Sequence, residues 1–370
     1  MFACVTSPHI GPRYGLRIVL SAPAVAAFRP MTGIRVAAHS QVMETTTTMR
    51  AVIQRRYGTP TVLETADVEL PRLGRGGVRV RVRAASLHPG DCFIMAGEPY
   101  VIRLAFGLRR PRQAIRGTDL AGVVTAVGED VASIEPGDEV FGWCSTGTLA
   151  EFACVPARNL APAPANLSLA DAAAAPTSGM TALQALRDVA RVSPGQKVLI
   201  VGASGGVGSF AVQIAKALGA EVTGVCSARN TDLVAALGAD HVVDYERSDI
   251  TSTGARYDVI LDNVEAQPIS VMRRALTRTG TLIPNSGRGG RWLGPLVRIA
   301  RSRVLSAFTQ QRLRPFTSVG NHEDLLTLAA LLSAGQVTPV IDRVYSLDDA
   351  AEALHHVATG HTRGKVVVTP

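Results

Sequence analysis

From about residue 49 the chain alternates hydrophobic and polar residues with a period of two, which is typical of strands with one buried face. The alternation is clearest over 77–83, where three valines alternate with three arginines. We expect these arginines to form the solvated face of the strand. The stretches 50–56 and 122–127 have the same character, and turn residues cluster at 128–130 and 135–138. The pattern predicts a β-rich region that extends to about residue 160.

After about residue 170 the pattern changes to helices alternating with short apolar runs. Residues 197–201 are typical of a strand buried on both faces. A glycine-rich loop follows, then a helix with apolar residues four apart, then a strand over 221–226. This is a βαβ unit, and the alternation continues to Pro284. The pattern predicts a doubly wound parallel sheet of the α/β class, followed by two helices and a last strand at 365–369.

The loop between strand and helix carries a variant of the dinucleotide fingerprint G-x-G-x-x-G, with alanine in the first position. Gly205 would let the backbone approach a pyrophosphate closely, and Gly208 would let the helix pack on the strand. The helix N-terminus offers free N–H groups to the anion. The predicted loop residues are Ala203, Ser204, Gly205, Gly206, Val207 and Gly208. The alternative is a glycine-rich turn in an α/β protein that binds no nucleotide.

The end of the second strand distinguishes between the two nicotinamide cofactors. An NAD site usually carries an acidic residue about 20 residues after the loop, bonded to the ribose. Residues 226–230 contain no acid, but Ser227 and Arg229 can bind a phosphate. We therefore predict NADPH as the cofactor. The alternative is that Arg229 is an exposed residue at the start of a helix.

Several ordered motifs resemble one superfamily: 117–128 (GTDLAGVVTAVG), 136–142 (PGDEVFG), 198–208, 237–245 (LGADHVVDY) and 364–368 (GKVVV). From residue 49 onward the chain resembles the medium-chain dehydrogenases/reductases, in their zinc-independent, quinone-oxidoreductase-like branch. The resemblance implies a GroES-like β-barrel domain at 49–170, completed by 320–370. It implies a Rossmann NADPH-binding domain at 171–319, and a homodimer.

The resemblance also assigns residues that the pattern alone would not select. Tyr245 would lie near the 2′-phosphate, and the residues expected to line the cofactor channel are Thr181, Asn263 and Ser286. Asp91 and Tyr100 match catalytic positions, with Tyr100 as a hydrogen-bond donor or substrate wall; the alternative for Tyr100 is packing. His88 stands where the branch often has asparagine.

Metal ligands are missing from the sequence motifs. Zinc-using members carry Gly-His-Glu where this chain has Gly117-Thr118-Asp119. His88 or Asp91 could ligate a metal, but a catalytic zinc needs three protein ligands, so we predict no metal. Without a Lewis acid, alcohol oxidation is disfavoured. We expect hydride transfer from NADPH to a small molecule, namely a quinone or the β-carbon of an enone or enal.

Three rival functions stay open at this stage. An enoyl-thioester reductase would use the arginines of 288–314 for coenzyme A phosphates, and a non-catalytic nucleotide- or RNA-binding protein would use the same arginines. A zinc alcohol dehydrogenase is opposed by the missing ligands. The segment around Trp292 and Phe308 would be either a lid over the cleft or an amphipathic surface helix.

Charge and composition narrow the partners. The chain has 38 basic and 30 acidic residues, a net charge of +8. Residues 1–43 and 266–322 lack acids and together carry +14, so the rest is net −6. Because the excess positive charge is confined to two segments, we expect no nucleic-acid partner. The sequence has no run of about 18 apolar residues, so we expect no membrane span. Its five cysteines are scattered, so we expect no disulfide framework.

The first 48 residues are expected to lie outside the fold. They combine an apolar stretch with arginines, as in a targeting leader. The alternative is a start codon assigned too early, with Met43 or Met49 as the true start. The expected location of the protein is the cytoplasm.

Overall fold

Two main sheets organise the chain in a computed structural model that describes residues 47–145, 147–248, 250, 254–265, 267–286, 290–292, 305–306 and 309–370. The strands are β1 (Thr48–Gln54), β2 (Leu63–Glu69), β3 (Gly77–Leu87), β4 (Asp119–Val127), β5 (Glu139–Trp143), β6 (Phe152–Pro156), β7 (Leu160–Pro162), β8 (Lys197–Val201), β9 (Glu221–Cys226), β10 (His241–Asp244), β11 (Tyr257–Asp262), β12 (Leu276–Pro284), β13 (Arg312–Leu313), β14 (Ile341–Ser346) and β15 (Lys365–Thr369).

The α-helices within the described residues follow in the same order. They are α1 (Pro89–Ala96), α2 (Arg103–Phe106), α3 (Leu169–Ala174), α4 (Pro176–Leu183), α5 (Gly206–Ala217), α6 (Thr231–Ala236), α7 (Ile269–Met272), α8 (His322–Ser333) and α9 (Ala350–Ala358). Short 3₁₀ turns cover Pro60–Val62, Tyr100–Ile102, Ala157–Asn159, Ala228–Asn230 and Arg273–Ala275, and Gln184–Ala190 continues α4 as a π-helix.

The first main sheet has the strand order β14-β15-β3-β4-β5-β7, with β6 also paired to β3. β1 and β2 form a separate antiparallel pair. β15 runs antiparallel to β3, with Val366 opposite Leu87, so the C-terminal strands complete a sheet begun near residue 77. The predicted domain boundaries at residues 170 and 320 stay predictions.

The arginine face of β3 is less exposed to solvent than the sequence suggested. Its three valines are buried, as predicted. Arg83 is exposed, but Arg79 and Arg81 are only half-buried rather than solvated. β6 pairs with the edge of β3 beside these residues, and the Arg81 guanidinium lies over the ring of Phe152, with 5.3 Å to the ring centroid. The expectation of a fully solvated arginine face was therefore wrong, because side chains and backbone of neighbouring segments, such as Phe152 and Pro71, cover Arg79 and Arg81 in part.

The second main sheet is parallel, with the order β10-β9-β8-β11-β12-β13. The central residues of β8 are completely buried, as its continuous apolar run predicts. Successive strands progress in one direction from β8 to β10, then in the other from β11 to β13. The change of direction lies between β8 and β11, and ligands of such sheets bind at the carboxyl ends of strands at this point. The doubly wound α/β prediction is confirmed.

Within the described residues, no helix is both long enough and apolar enough to span a membrane. The predicted leader, residues 1–48, lies outside the described part of the chain except for its last two residues.

Candidate functional site

The glycine loop at the end of β8 is held tightly on one side and open on the other. A Cβ atom at Gly208 would come within 2.0 Å of the carbonyl oxygen of Gly202 and 2.8 Å of Cα of Ala203. Gly208 therefore allows α5 to approach the loop. A Cβ at Gly205, the N-cap of α5, would meet only the Gly202 oxygen, at 3.4 Å. Gly205 thus faces space into which a ligand can come close to the backbone.

A lysine from the other sheet lies beneath this loop. The Gly364 amide donates to the carbonyl oxygen of Ser204 at 2.8 Å, which brings the start of β15 against the loop. Lys365 is 2% exposed, and its Cδ atom lies 3.3 Å from a Cβ built on Gly206. Its Nζ atom has no hydrogen-bond partner among the described residues. Burial lowers the pKa of Lys365, while the negative charge of Asp119 opposes that shift.

Asp119 is the anionic centre below the loop. It is 0% exposed, and its Oδ2 atom lies 3.7 Å from Nζ of Lys365. Its carboxylate accepts hydrogen bonds from the Ser86 hydroxyl at 3.3 Å, and from the Thr177 hydroxyl and amide at 2.5 and 3.3 Å. Asp119 therefore connects β3, β4, α4 and β15. An anion bound at the N-terminus of α5 would supply the hydrogen-bond acceptor that Nζ of Lys365 lacks.

The residues predicted for the 2′-phosphate end lie side by side. Ser227 directly follows β9, and the amide of Tyr245 donates to the Cys226 carbonyl at 3.1 Å. Tyr245 is 56% exposed, so its ring is available to a ligand. The Arg229 guanidinium donates to the carbonyl oxygen of His361 at 3.2 Å, in the segment before Lys365. The structure thus brings Ser227, Arg229 and Tyr245 together.

Asn230 connects this end to the glycine loop, and sequence reasoning missed it. Its Nδ2 atom donates to the hydroxyl oxygens of Ser204 at 3.0 Å and Ser227 at 3.3 Å. Asn230 is buried, so these two bonds fix the two segments relative to each other. Its position three residues after Ser227 was the only signal in the sequence.

The remaining predicted channel residues lie in two places, at the ends of strands β11 and β12 and in helix α4. Asn263 follows β11 and donates from Nδ2 to the Val201 carbonyl at 3.1 Å, while its Oδ1 accepts from Asn285 at 2.8 Å. Ser286 follows β12 by two residues at the same sheet edge. Thr181 is buried in α4, where its hydroxyl donates to the carbonyl of Thr177 at 2.7 Å. Thr181 is thus one helical turn from the Asp119 network.

Asp91 occupies a helix N-terminus beside a small cavity. It is 3% exposed, and its carboxylate accepts from the His88 amide at 2.9 Å at the start of α1. Nε2 of His88 lies 2.9 Å from the Thr118 hydroxyl. Asp91 and Thr118 both line the cavity. The neighbouring thiol of Cys92 is unreactive as a nucleophile, because burial raises its pKa to about 12.

Tyr100 forms part of a contact between two segments that are distant in sequence. Its hydroxyl accepts from Nη2 of Arg291 at 2.9 Å, and its amide donates to the Arg291 carbonyl at 2.7 Å. The same guanidinium bonds Glu98 at 2.7 Å, and the Trp292 ring meets the Tyr100 ring edge-on, with centroids 5.1 Å apart. These contacts favour the packing alternative for Tyr100. Trp292 is 74% exposed, whereas Phe308 lies outside the described residues.

Among the described residues, no group of three or more His, Cys, Asp or Glu side chains is placed to hold a metal ion. Thr118 and Asp119 occupy the positions where zinc-using members have ligand motifs, and Thr118 bonds His88 instead.

Known proteins share both halves of this arrangement. The family described as "Alcohol dehydrogenase GroES-like domain" matches residues 74–165, and "Zinc-binding dehydrogenase" matches 237–368. The chloroplastic quinone-oxidoreductase QR1 of Triphysaria versicolor is 33% identical over 337 residues, covering 87% of this chain and 98% of that protein. The mitochondrial NAD(P)H oxidoreductase RTN4IP1 of Bos taurus is 33% identical over 359 residues, covering 87% and 89%.

A solved structure agrees. The quinone oxidoreductase from Coxiella burnetii superposes with a TM-score of 0.75 at 28% identity, covering 87% of this chain and 99% of that one. A GroES-like region joined to a parallel nucleotide-binding sheet defines a class of oxidoreductase that uses a nicotinamide cofactor. The chain belongs to the medium-chain dehydrogenase/reductase superfamily, in its zinc-independent, quinone-oxidoreductase-like branch.

Proposed function

We propose that this protein transfers a hydride from NADPH to a quinone or an α,β-unsaturated carbonyl compound without a metal ion. The observation that carries the proposal is the open side of the loop at Gly205, with the buried Lys365 beneath it, whose Nζ atom makes no hydrogen bond and lies 3.7 Å from Asp119. A pyrophosphate would gain helix N–H groups, a close backbone approach and a buried charge at this one place. The residues present therefore fit a dinucleotide.

The choice of NADPH rests on the end of β9. Ser227 and Arg229 offer a hydroxyl and a guanidinium, and Tyr245 offers an exposed ring beside them. The segment 226–230 contains no carboxylate that would repel a 2′-phosphate. We infer that Arg229 keeps its bond to the His361 carbonyl and uses its other N–H groups for the phosphate.

The choice of acceptor rests on the donor set around Thr118. Thr118 stands where zinc-using members have a histidine ligand, and its hydroxyl lies 2.9 Å from Nε2 of His88, so this position offers a hydrogen bond in place of a metal ligand. Without a Lewis acid, an alcohol would not be activated for oxidation. When bound, the reduced nicotinamide supplies the hydride. The chain's own residues would hold the acceptor beside the small cavity that Thr118 lines, and would stabilise the oxyanion that forms. The Thr118 hydroxyl lines that cavity and is our candidate donor to the oxyanion.

Steady-state turnover of the full chain tests the proposal. Oxidation of NADPH and NADH is followed with a quinone, an enal and an enoyl-coenzyme A ester, before and after treatment with a chelator. We expect turnover of the quinone or enal, a preference for NADPH, and no loss on chelation. Absence of turnover with every acceptor would contradict the reductase assignment. Turnover of the thioester alone would favour the enoyl-thioester reductase.

A matched pair of variants isolates the role of Thr118. Thr118→Val removes the hydroxyl at nearly constant volume, and Thr118→Ser keeps it. We expect kcat to fall about 10-fold or more in the valine variant, since loss of one oxyanion donor typically costs more than this. The serine variant should retain most of the activity. Equal losses in both variants would contradict a hydrogen-bonding role.

A further inference from the structure

A buried arginine faces the cavity beside the proposed reaction site. Two adjoining cavities share the lining residues Phe106, Gln113, Arg116 and Ser145. The larger has a volume of about 270 Å³ and the smaller borders Asp91 and Thr118. The shared lining shows that the two cavities adjoin, so a molecule held in the larger one would lie near the residues that line the smaller, among them Thr118.

Arg116 is only 6% exposed, yet it has few partners. Its Nη2 atom donates to the carbonyl oxygen of Gln113. Its Nε atom has no hydrogen-bond partner among the described residues, and none of their carboxylates lies within 4 Å of the guanidinium. Burying a charge without a partner is costly, so such a group in a cavity wall indicates a missing anion.

The charges around the larger cavity add to the same conclusion. Arg112 lines it together with Arg116, and no acidic residue is in its lining. Asp91 borders the smaller cavity and its negative charge favours the charged form of Arg116. However, the Asp91 carboxylate is engaged by the His88 amide at the start of α1. The phenol of Tyr57 also favours the charged form of Arg116, but its hydroxyl donates to the carbonyl of Gly107 at 2.6 Å.

The chemistry of the guanidinium defines the ligand. Its planar set of N–H donors matches the two oxygens of a carboxylate, and Phe106 provides an apolar wall beside it. We propose that Arg116, with Arg112 at the rim, binds a carboxylate carried by the acceptor, so that the preferred substrates are electrophilic carbonyl compounds with an acid group. This assignment rests on the proposed reduction for the identity of the acceptor, but binding of the acid does not depend on turnover.

Two acceptors that differ in charge and by one methyl group test the proposal: a γ-keto-α,β-unsaturated acid and its methyl ester. The wild-type chain should have the higher kcat/KM for the acid. In Arg116→Gln the ratio of acid to ester should fall about 10- to 100-fold, as expected for loss of a charged hydrogen bond. Arg116→Lys should recover part of the ratio, and Arg112→Gln should lower it about 3-fold, as for an exposed charge.

Arg109→Gln is the matched control. Arg109 belongs to the same segment and is exposed, but it lines neither cavity. This variant should keep both the basal activity and the acid-to-ester ratio of the wild type. Thermal unfolding of every variant shows whether Arg116→Gln still folds; if it does not, the ratio in Arg112→Gln decides.

Calorimetric titration of the acid, without cofactor, separates this proposal from the proposed function. If the wild type binds the acid, Arg116→Gln does not, and neither acceptor is turned over, the anion site is supported and the reductase is contradicted. Turnover of acid and ester at equal kcat/KM in wild type would overturn the anion site and leave the reductase standing. An unchanged ratio in the folded Arg116→Gln variant would overturn it as well.

Discussion

Alanine substitutions at Gly205 and Gly208 separate the two roles of the glycine loop. Both residues lie at the start of α5, and alanine adds the same single methyl group at each. At Gly208 the new atom would meet the backbone oxygen of Gly202 at 2.0 Å. A backbone oxygen cannot rotate away as a side chain can, so α5 must move off the end of β8.

The expected cost of Gly208→Ala follows from that contact. Overpacking a tight site costs about 1–3 kcal/mol, and a backbone clash of this depth belongs at the upper end. A loss of about 3 kcal/mol corresponds to a fall in Tm of roughly 4 °C for a chain of this size. Gly205→Ala should differ, because its Cβ lies 3.4 Å from the nearest described atom and its φ of −83° suits alanine. Its free energy of unfolding should stay within about 1 kcal/mol of the wild type.

Gly205→Ala, although mild in its effect on stability, should clearly lower the affinity for the cofactor. The added methyl would stand where the pyrophosphate approaches, so Gly205→Ala should weaken NADPH binding about 10-fold despite its unchanged stability, by the same cost of overpacking. Differential scanning calorimetry gives Tm, and a fluorescence titration gives the Kd of NADPH. Wild-type stability of Gly208→Ala would refute the packing argument. Wild-type NADPH affinity of Gly205→Ala would refute the close approach of the phosphates.

Three further substitutions test separate parts of the site and fold. Arg229→Ala should weaken NADPH about 10-fold in Kd but leave NADH nearly unchanged, because it removes one charged hydrogen bond to the 2′-phosphate. Lys365→Met should weaken the binding of both cofactors. Burial lowers the pKa of Lys365 in the folded protein, so the wild type should become more stable as pH rises from that lowered pKa towards 10.5. Measurements of Tm against pH should show this gain in the wild type and not in the variant. Burial opposes ionisation of Asp324, but bonds from Arg187 and Gln184 outweigh it and lower its pKa. Its stabilisation should be present above about pH 4 and lost as pH falls through the lowered pKa, and Asp324→Asn should unfold with about 1.5–3 kcal/mol less free energy and without that acid-dependent step.

The parallel sheet was predictable because its signals are local. β8 and β9 begin and end at the residues expected from the sequence, 197–201 and 221–226. β8, β9 and β11 are short, largely buried apolar runs, whereas β10 at the sheet edge is half-buried. In the β-rich region β5, β6 and β7 were not resolved individually, because their short half-buried runs lack a distinct period.

The loop of the site could be predicted from sequence, but its supporting contacts could not. The positions of Gly205 and Gly208 follow from the spacing of the fingerprint. Lys365, by contrast, reaches the loop from the last strand, and its proximity to Asp119 depends on the pairing of β15 with β3. The burial of Arg116 likewise depends on how the segment after α2 pairs with β1, where the Arg116 amide donates to the Val52 carbonyl at 3.2 Å. No spacing in the sequence reports these contacts.

The cellular location and the assembly state of the chain stay predictions, as do the roles assigned to Asp91 and Tyr100. The relatives with printed locations are chloroplastic or mitochondrial proteins, whereas the expectation here was cytoplasmic.

The most direct test of the central claim is a deuterium-transfer experiment on the full chain treated with a chelator. NADPH labelled with deuterium at both C4 positions is mixed with an enone, and the product is analysed by mass spectrometry and NMR. Metal-independent hydride transfer predicts one deuterium at the β-carbon of the saturated product, at a rate that added zinc does not change. A product without deuterium, or activity that disappears on chelation and returns with zinc, would contradict it.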